Sequence, residues 1–267
     1  MPMKERDDFG PVTEMNIVRV TQDNFFRFQD TIATEIPLTI AANDVELATL
    51  LASPSDLREL TLGYLYTSGY ISTPEELEEY VCDRQRWTVN VHLSRMPDPS
   101  LMQKRLYTSG CGRCAMYTTV NEISLRKQLE NSISVAKATI FEIASQLRKG
   151  TSMFIQTGSM HCSLLIEMDT GREILIDDVA RHNSLDKVIG RAMTEKINFS
   201  RCILARTGRT SSEIIYKIRR CGIPITIALG APTHQAVHLA REMGITVIGF
   251  AREDSFNLYS SDERVRM

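Results

Sequence analysis

The sequence predicts an α/β protein, α+β over its whole length, in which a smaller β-rich region precedes a strand–helix region. Three observations carry this. Between Ile17 and Leu51 β-branched residues dominate, as in Thr31-Ile-Ala-Thr-Glu-Ile-Pro-Leu-Thr-Ile40. Trp87, Val89, Val91 and Leu93 alternate with polar residues, the period of a half-buried strand. After Ala136 strand-like and helix-like runs alternate. The rhythm changes at Asn131-Ser132, which places a boundary near 131–136 and divides the chain into 1–135 and 136–267.

In order along the chain, residues 1–16 read as a polar, loose segment. Strands follow, with Asn43-Asp44 as a hairpin turn. Ser53 is expected to cap a helix with Pro54 at its first position. Leu57, Leu60, Tyr64 and Leu65 continue it at helical spacing, and Gly69 ends it. A second helix is expected from Thr73 to Tyr80, then the Trp87–Leu93 strand, then a break at Met96-Pro-Asp-Pro99. A helix over 136–149 turns Ile140, Ile143, Ala144 and Leu147 to one face and stops at Gly150. Strands Ser163–Met168 and Glu173–Val179 meet at a turn, Asp169-Thr-Gly171. A helix from Ser184 to Lys196 and a strand Cys202–Ala205 come next. Helix 211–220, strand 223–228, helix 233–243 and strand 245–250 close the series, with Gly222 and Gly244 ending the helices. Such a series predicts a parallel layer with its ligand edge at the carboxyl ends of the strands.

Composition narrows the function. The chain has 267 residues, 43% hydrophobic and 24% charged, as in ordinary globular proteins. A net charge of -2 argues against a broad nucleic-acid footprint. No apolar run reaches the ~20 residues of a membrane helix. The start, Met-Pro-Met-Lys-Glu-Arg-Asp-Asp, has no apolar signal region, so the six cysteines are expected reduced, in a cytoplasm.

Four segments carry chemistry. The first is Cys111-Gly-Arg-Cys114, two thiols in a glycine-rich stretch with Arg113 placed to favour a thiolate. Functional sulfur chemistry, half of a zinc site and an inert or disulfide-bonded pair all fit it. A closed zinc site needs four ligands, and Cys82, Cys162, Cys202 and Cys221 are isolated in sequence. The second is Asp177-Asp178-Val-Ala-Arg181-His182-Asn183, at the end of a strand and the start of a helix, where Asn183 is the alternative cap. The third is Thr207-Gly208-Arg209-Thr-Ser211-Ser212, a similar junction suited to an anion or to a plain Ser cap. The fourth is Phe250-Ala251-Arg252-Glu253-Asp254-Ser255, just past the last strand. His234 and His238 have metal-ligand spacing but lack a zinc protease's glutamate, and read as a surface pair. The second half suggests a cytidine deaminase layout, yet no His-x-Glu followed by Pro-Cys-x-x-Cys occurs.

Taken together these pieces resemble the formate dehydrogenase accessory sulfurtransferase family, FdhD. The resemblance runs from Glu35-Ile-Pro-Leu38 to Tyr259. It rests on Ala52-Ser-Pro54, Leu62-Gly-Tyr64, Cys-Gly-x-Cys, Thr157-Gly158…His161, Asp178-Val-Ala-Arg-His-Asn-Ser-Leu-Asp-Lys187, Gly208-Arg209, Ala231-Pro-Thr233 and Gly249-Phe250. Ala180 and Ser159 stand where the family commonly has glycine, and each adds a Cβ where positive φ or a close approach of backbone to ligand would call for glycine, which bears on the geometry of nucleotide binding. The resemblance implies a sulfur carrier. Cys111 would hold a persulfide received from a cysteine desulfurase, with Cys114 assisting. The sulfur would pass to the molybdenum bis(guanine dinucleotide) cofactor, a bound substrate, for formate dehydrogenase. Phe250–Ser255, with Arg181, His182, Gly208 and Arg209, would bind that cofactor. The second region would be a cytidine-deaminase-like three-layer α/β/α domain, the protein a homodimer, with no resident metal. The competing class is a nucleotide-binding redox sensor with a Cys111–Cys114 disulfide.

Overall fold

The structure is a computed structural model that describes residues 10–95, 105–107, 113–115, 127–130 and 133–267. It opens with an antiparallel hairpin of β1 (Val12–Val20) and β2 (Phe25–Ala33). Strand β1 therefore takes in residues 12–16 of the segment expected to be loose, because each finds a cross-strand partner, such as Glu14 opposite Thr31.

A four-stranded sheet follows, in the order β4 (Val45–Ala52), β3 (Ile36–Ala42), β6 (Thr88–Leu93), β5 (Leu77–Asp83). The turn between β3 and β4 is the expected Asn43-Asp44, both with positive φ, 47° and 65°. The helix expected over Thr73–Tyr80 is absent. Pro74–Glu76 form one 3-10 turn inside a Thr73–Glu76 capping box, and Tyr80 pairs with Val91 as strand. The local start signal is real, but pairing with β6 outweighs helix propensity one turn later.

Helix α1 (Leu57–Thr67) follows β4 and starts three residues later than the Ser-Pro signal predicts. Its cap position is Asp56, and Ser53 is instead fully buried in a polar cluster described below. A short hairpin of β7 (Arg105–Tyr107) and β8 (Arg113–Ala115) comes next, then β9 (Val135–Ala136).

The second region is a six-stranded mixed sheet. Its order is β11 (Glu173–Asp178), β10 (His161–Glu167), β12 (Cys202–Arg206), β13 (Ile225–Ala228), β14 (Thr246–Gly249), β15 (Asn257–Ser260). Only β12, β13 and β14 are mutually adjacent and parallel. β10 runs antiparallel to both β11 and β12, so β11 points the same way as the parallel three. The series does not close at 250. β15 adds an antiparallel edge, and β16 (Val265–Arg266) pairs with β9.

Helix α2 (Lys137–Lys149) covers one face and buries the four predicted residues, Ile140, Ile143, Ala144 and Leu147. Gly150, at φ 66°, ends it as expected. A short helix the sequence pattern missed, α3 (Ser152–Thr157), sits between Gly150 and Gly158. Helices α4 (Arg181–Thr194), α5 (Ser212–Cys221) and α6 (His234–Met243) cover the other face. The result is three layers, helix, sheet, helix.

One apolar cluster joins the two regions. Leu38, Val89 and Leu60 share it with Leu185, Ile189, Leu204 and Ile214. At its centre α1 crosses α4 through glycines. A Cβ on Gly63 would stand 1.8 Å from the Asp186 carbonyl oxygen, and one on Gly190 would stand 2.0 Å from that of Glu59. No residue but glycine permits that approach. Beside the crossing, buried Asp186 accepts from Lys217 Nζ at 2.5 Å and from Thr67 Oγ1 at 2.7 Å.

Candidate functional site

The strand register brings the predicted segments to one edge. Asp178 is opposite His161, Ser163 opposite Arg206, and Arg206 opposite Ala228, while β14 ends alongside at Gly249. The carboxyl ends of β11, β12, β13 and β14, with the start of β10, therefore share one side of the sheet.

The Asp178–Lys187 block divides into two kinds of residue. Asp178 and Lys187 are fully buried and paired at 2.7 Å. Asp178 also accepts from the Ser53 amide at 3.1 Å, the Ala180 amide at 2.8 Å and Asn183 Nδ2 at 3.2 Å. Lys187 donates to the Ser53 carbonyl, and the Ser53 hydroxyl accepts from Val179 N. Asn183 donates to the Leu51 carbonyl at 2.8 Å. These four residues fasten the end of β4 to the start of α4. Asn183 is not the helix cap, and neither it nor Asp178 is free for a ligand. Ala180 does not take the positive φ that glycine would serve, since its φ is -110°.

Arg181 and His182 take the other course. The Arg181 side chain lies against Gly208, where an added Cβ would meet its Cδ at 3.5 Å and the His161 ring at 3.3 Å. His182 Nε2 pairs with Glu213 Oε2 at 3.1 Å, on the first turn of α5. His161 Nδ1 shares a 3.0 Å hydrogen bond with Thr207 Oγ1. Burial, with the charges of Arg181 and Arg206 next in weight, holds His161 below the usual imidazole value.

The loops leaving β12, β13 and β14 are laced together. Gly208, at φ 78°, lies under Gly230, where a Cβ would be 2.5 Å from the Gly208 carbonyl oxygen. Leu229 N donates to Arg206 O, Thr210 N to Ala231 O, Phe250 N to Gly230 O and Ala251 N to Ala228 O. Phe250 adopts φ 51° and leaves 44% of its surface exposed. The Arg252 guanidinium donates to the carbonyls of Leu229, at 2.9 Å, and Ala251, at 2.8 Å, so it braces the loop. Ala251 is buried, while Glu253, Asp254, Ser255 and Arg209 are exposed.

Two residues at this edge escaped the sequence reading. In the sequence His161 stands only as part of a motif. Arg206 is 1% exposed and ends the otherwise apolar β12, and its position after an apolar run is the one available signal for it. Its value is pushed down to about 9 by burial, with Arg181 adding to the push.

Of the thiols, Cys111 lies outside the described residues. Cys114 is in β8, opposite Leu106, so its backbone belongs to a strand and not to an open loop. Cys162 and Cys202 are buried with thiols pushed up to about 12, and Cys221 is raised further, by burial in each case. They are apolar core residues, not nucleophiles. His234 and His238 are exposed, and His238 pairs with Glu242 on its own helix. Among the described residues no helix is long and apolar enough to cross a membrane.

Comparison with known proteins gives the family and the fold. The model of the FdhD/NarQ family matches residues 33–266. Sulfur carrier protein FdhD of Staphylococcus haemolyticus (strain JCSC1435) is 32% identical over 253 residues, 94% of this chain and 96% of that protein. The Bacillus subtilis (strain 168) protein of the same name is 30% identical, over 94% and 96%. A solved structure of a candidate formate dehydrogenase accessory protein from Desulfotalea psychrophila superposes with a TM-score of 0.77. It is 23% identical, covers 96% of this chain and 99% of its own, and shows the same fold. The chain belongs to the FdhD/NarQ family.

Proposed function

We propose that this chain is a sulfur carrier that serves formate dehydrogenase, acting as a sulfurtransferase in the cytoplasm. It takes sulfur from a cysteine desulfurase on Cys111 and hands it to the molybdenum bis(guanine dinucleotide) cofactor. The observation that carries this reading is the family match over residues 33–266, a span that holds both Cys111-Gly-Arg-Cys114 and the sheet edge.

The chemistry follows from the residues. The Cys111 thiolate attacks the outer sulfur of the desulfurase persulfide. A new S–S bond forms on Cys111, the donor's S–S bond breaks, and the donor cysteine leaves as a thiolate with the electron pair. Cys111 precedes β8 with glycine on both sides, whereas the Cys114 backbone is held in the hairpin. We therefore give Cys111 the persulfide and Cys114 an assisting role. The cofactor docks at the carboxyl edge, where Arg181, His182, Gly208, Arg209 and Phe250–Ser255 gather. The exposed Phe250 ring offers a stacking face to guanine. On this reading region 1–135 presents sulfur, region 136–267 presents cofactor, and the working protein is a homodimer.

The test is incubation with a cysteine desulfurase and cysteine, followed by cyanolysis and mass spectrometry. Cys111 should gain one sulfur atom. Cys111→Ala should abolish loading and formate dehydrogenase maturation while folding is unchanged, and Cys114→Ala should be milder. Equal and total loss in both, with no sulfur on the wild type, points instead to a redox-sensing disulfide.

A further inference from the structure

We infer that the buried Arg206, with Arg181, the Ser211 hydroxyl and the first-turn amides of α5, holds a phosphoryl group of the ligand. This deepens the nucleotide reading above and rests on it for the location of the ligand.

Arg206 is the point of departure. It is 1% exposed, and its Nη2 donates to Thr210 Oγ1 at 3.0 Å. Its Nε and Nη1 are buried with no hydrogen-bond partner, and no carboxylate pairs with it among the described residues. A buried guanidinium without a counter-charge is a heavy cost to a fold, and an apolar side chain would fill the space without it. The neighbouring Arg181 has a buried, unpartnered Nε as well. The two cations are near enough to repel, and among the described residues no carboxylate is paired with either, which is the opposite of what folding alone would select.

The helix end beside them is also unspent. Thr210, the acceptor of Arg206, is followed by Ser211, the cap position of the ten-residue α5. Ser211 has cap geometry, φ -96° and ψ 168°, yet its hydroxyl makes no cap bond and is buried without a partner. The amides of a helix's first turn have no acceptor within the helix and point toward a ligand at its N-terminus. The one carboxylate on that turn, Glu213, is paired with His182 at 3.1 Å. Two guanidinium forks, a hydroxyl and helix amides match a tetrahedral dianion with three oxygens better than a planar carboxylate. The shared chemistry is a phosphoryl group, from a nucleoside diphosphate or from free phosphate or pyrophosphate. Arg209, exposed on the rim, is not part of this pocket.

Calorimetric titrations of the full chain with GDP, ADP, guanosine, inorganic phosphate and pyrophosphate test the assignment. GDP should bind at least about 150-fold more tightly than guanosine, the scale of two charge-assisted hydrogen bonds. Tight GDP and weak phosphate would mean that the nucleotide supplies the group. Arg206→Met should erase the GDP advantage, and Ser211→Ala should reduce it several-fold. Heat denaturation gives a second readout. Without ligand, Arg206→Met should melt at or above the wild-type temperature, and pyrophosphate should raise the melting point of the wild type only. ADP and pyrophosphate binding as well as GDP would keep the phosphoryl pocket and remove the guanine reading. GDP and guanosine binding alike would keep guanine and overturn the pocket. A marked drop in melting point for ligand-free Arg206→Met would also overturn it, because Arg206 would then be a structural residue.

Discussion

Lys187 and Arg206 are both cations removed from water, about as completely as a protein allows, yet their surroundings differ. Lys187 has Asp178 at 2.7 Å and the Ser53 carbonyl at 3.3 Å. Arg206 has one hydroxyl and two bare donor atoms, with another arginine beside it. The two stand on α4 and β12, at the same end of the same sheet. The difference separates the architecture of this edge from its chemistry. Where a buried charge is matched inside the chain, it fastens β4 to α4. Where it is not, the missing partner comes from outside. The same division runs through the Asp178–Lys187 block, whose contiguous residues conceal two jobs: Asp178, Asn183 and Lys187 hold the fold, while Arg181 and His182 belong to the proposed site.

The strongest attack on this comparison removes Lys187. Lys187→Met leaves the Asp178 carboxylate buried and without its cation. Breaking such a pair costs about 3–5 kcal/mol, which should appear as a lower urea midpoint with an unchanged slope. Asp178→Leu combined with Lys187→Met should recover part of that loss, not all, since Asp178 also receives three amide-type donors. If Lys187→Met costs less than about 1 kcal/mol, the pair is not a structural fastener and the contrast with Arg206 collapses.

Asp177 sharpens the comparison from the acidic side. It is 2% exposed, receives a hydrogen bond from the Thr151 hydroxyl, and leaves Oδ1 without a partner. Burial raises its value to about 6 from an ordinary 3.8. Between those values the folded chain holds a proton that the unfolded chain has released, so stability is lost as pH rises through about 6. Asp177→Asn should thus stabilise the protein at pH 7 by on the order of 2–3 kcal/mol. The gain should vanish below pH 4 in a series of melts. A gain that persists at low pH would mean that packing, not charge burial, sets the effect.

How much of this was legible in the residues depends on distance along the chain. Periodicity found α2 and its four buried residues, because a helix face is written within two turns. The Asn43-Asp44 turn was found because left-handed backbone asks for such residues. Thr73–Tyr80 failed because a valid local start signal was overruled by pairing with β6, which no local window contains. Ser53 failed for a related reason: its partners, Asp178, Val179 and Lys187, lie more than a hundred residues away. At the site, Gly208 and Arg181 were legible as types suited to anions. Arg206 was not, because an arginine just past a strand reads as its solvated end until the sheet shows that it is covered.

The smallest expected effect belongs to Arg209, the residue the sequence favoured. Read as a charge-assisted anion contact, its removal would cost ligand binding about 1.5–3 kcal/mol. The structure places it exposed, with no hydrogen bond or ion pair among the described residues. An exposed charge works through water and salt, so its share of binding falls to about 1 kcal/mol or less. Stability should change by no more than about 0.5 kcal/mol. Arg209→Ala therefore calls for paired measurements, GDP affinity at low and high salt beside a urea melt. A modest loss of affinity that fades in high salt, with unchanged stability, fits a rim residue that attracts the nucleotide without gripping it. A loss as large as that of Arg206→Met, and insensitive to salt, would move the phosphoryl contact out of the buried pocket and onto the rim. The contrast between matched and unmatched buried charge would then no longer identify the site.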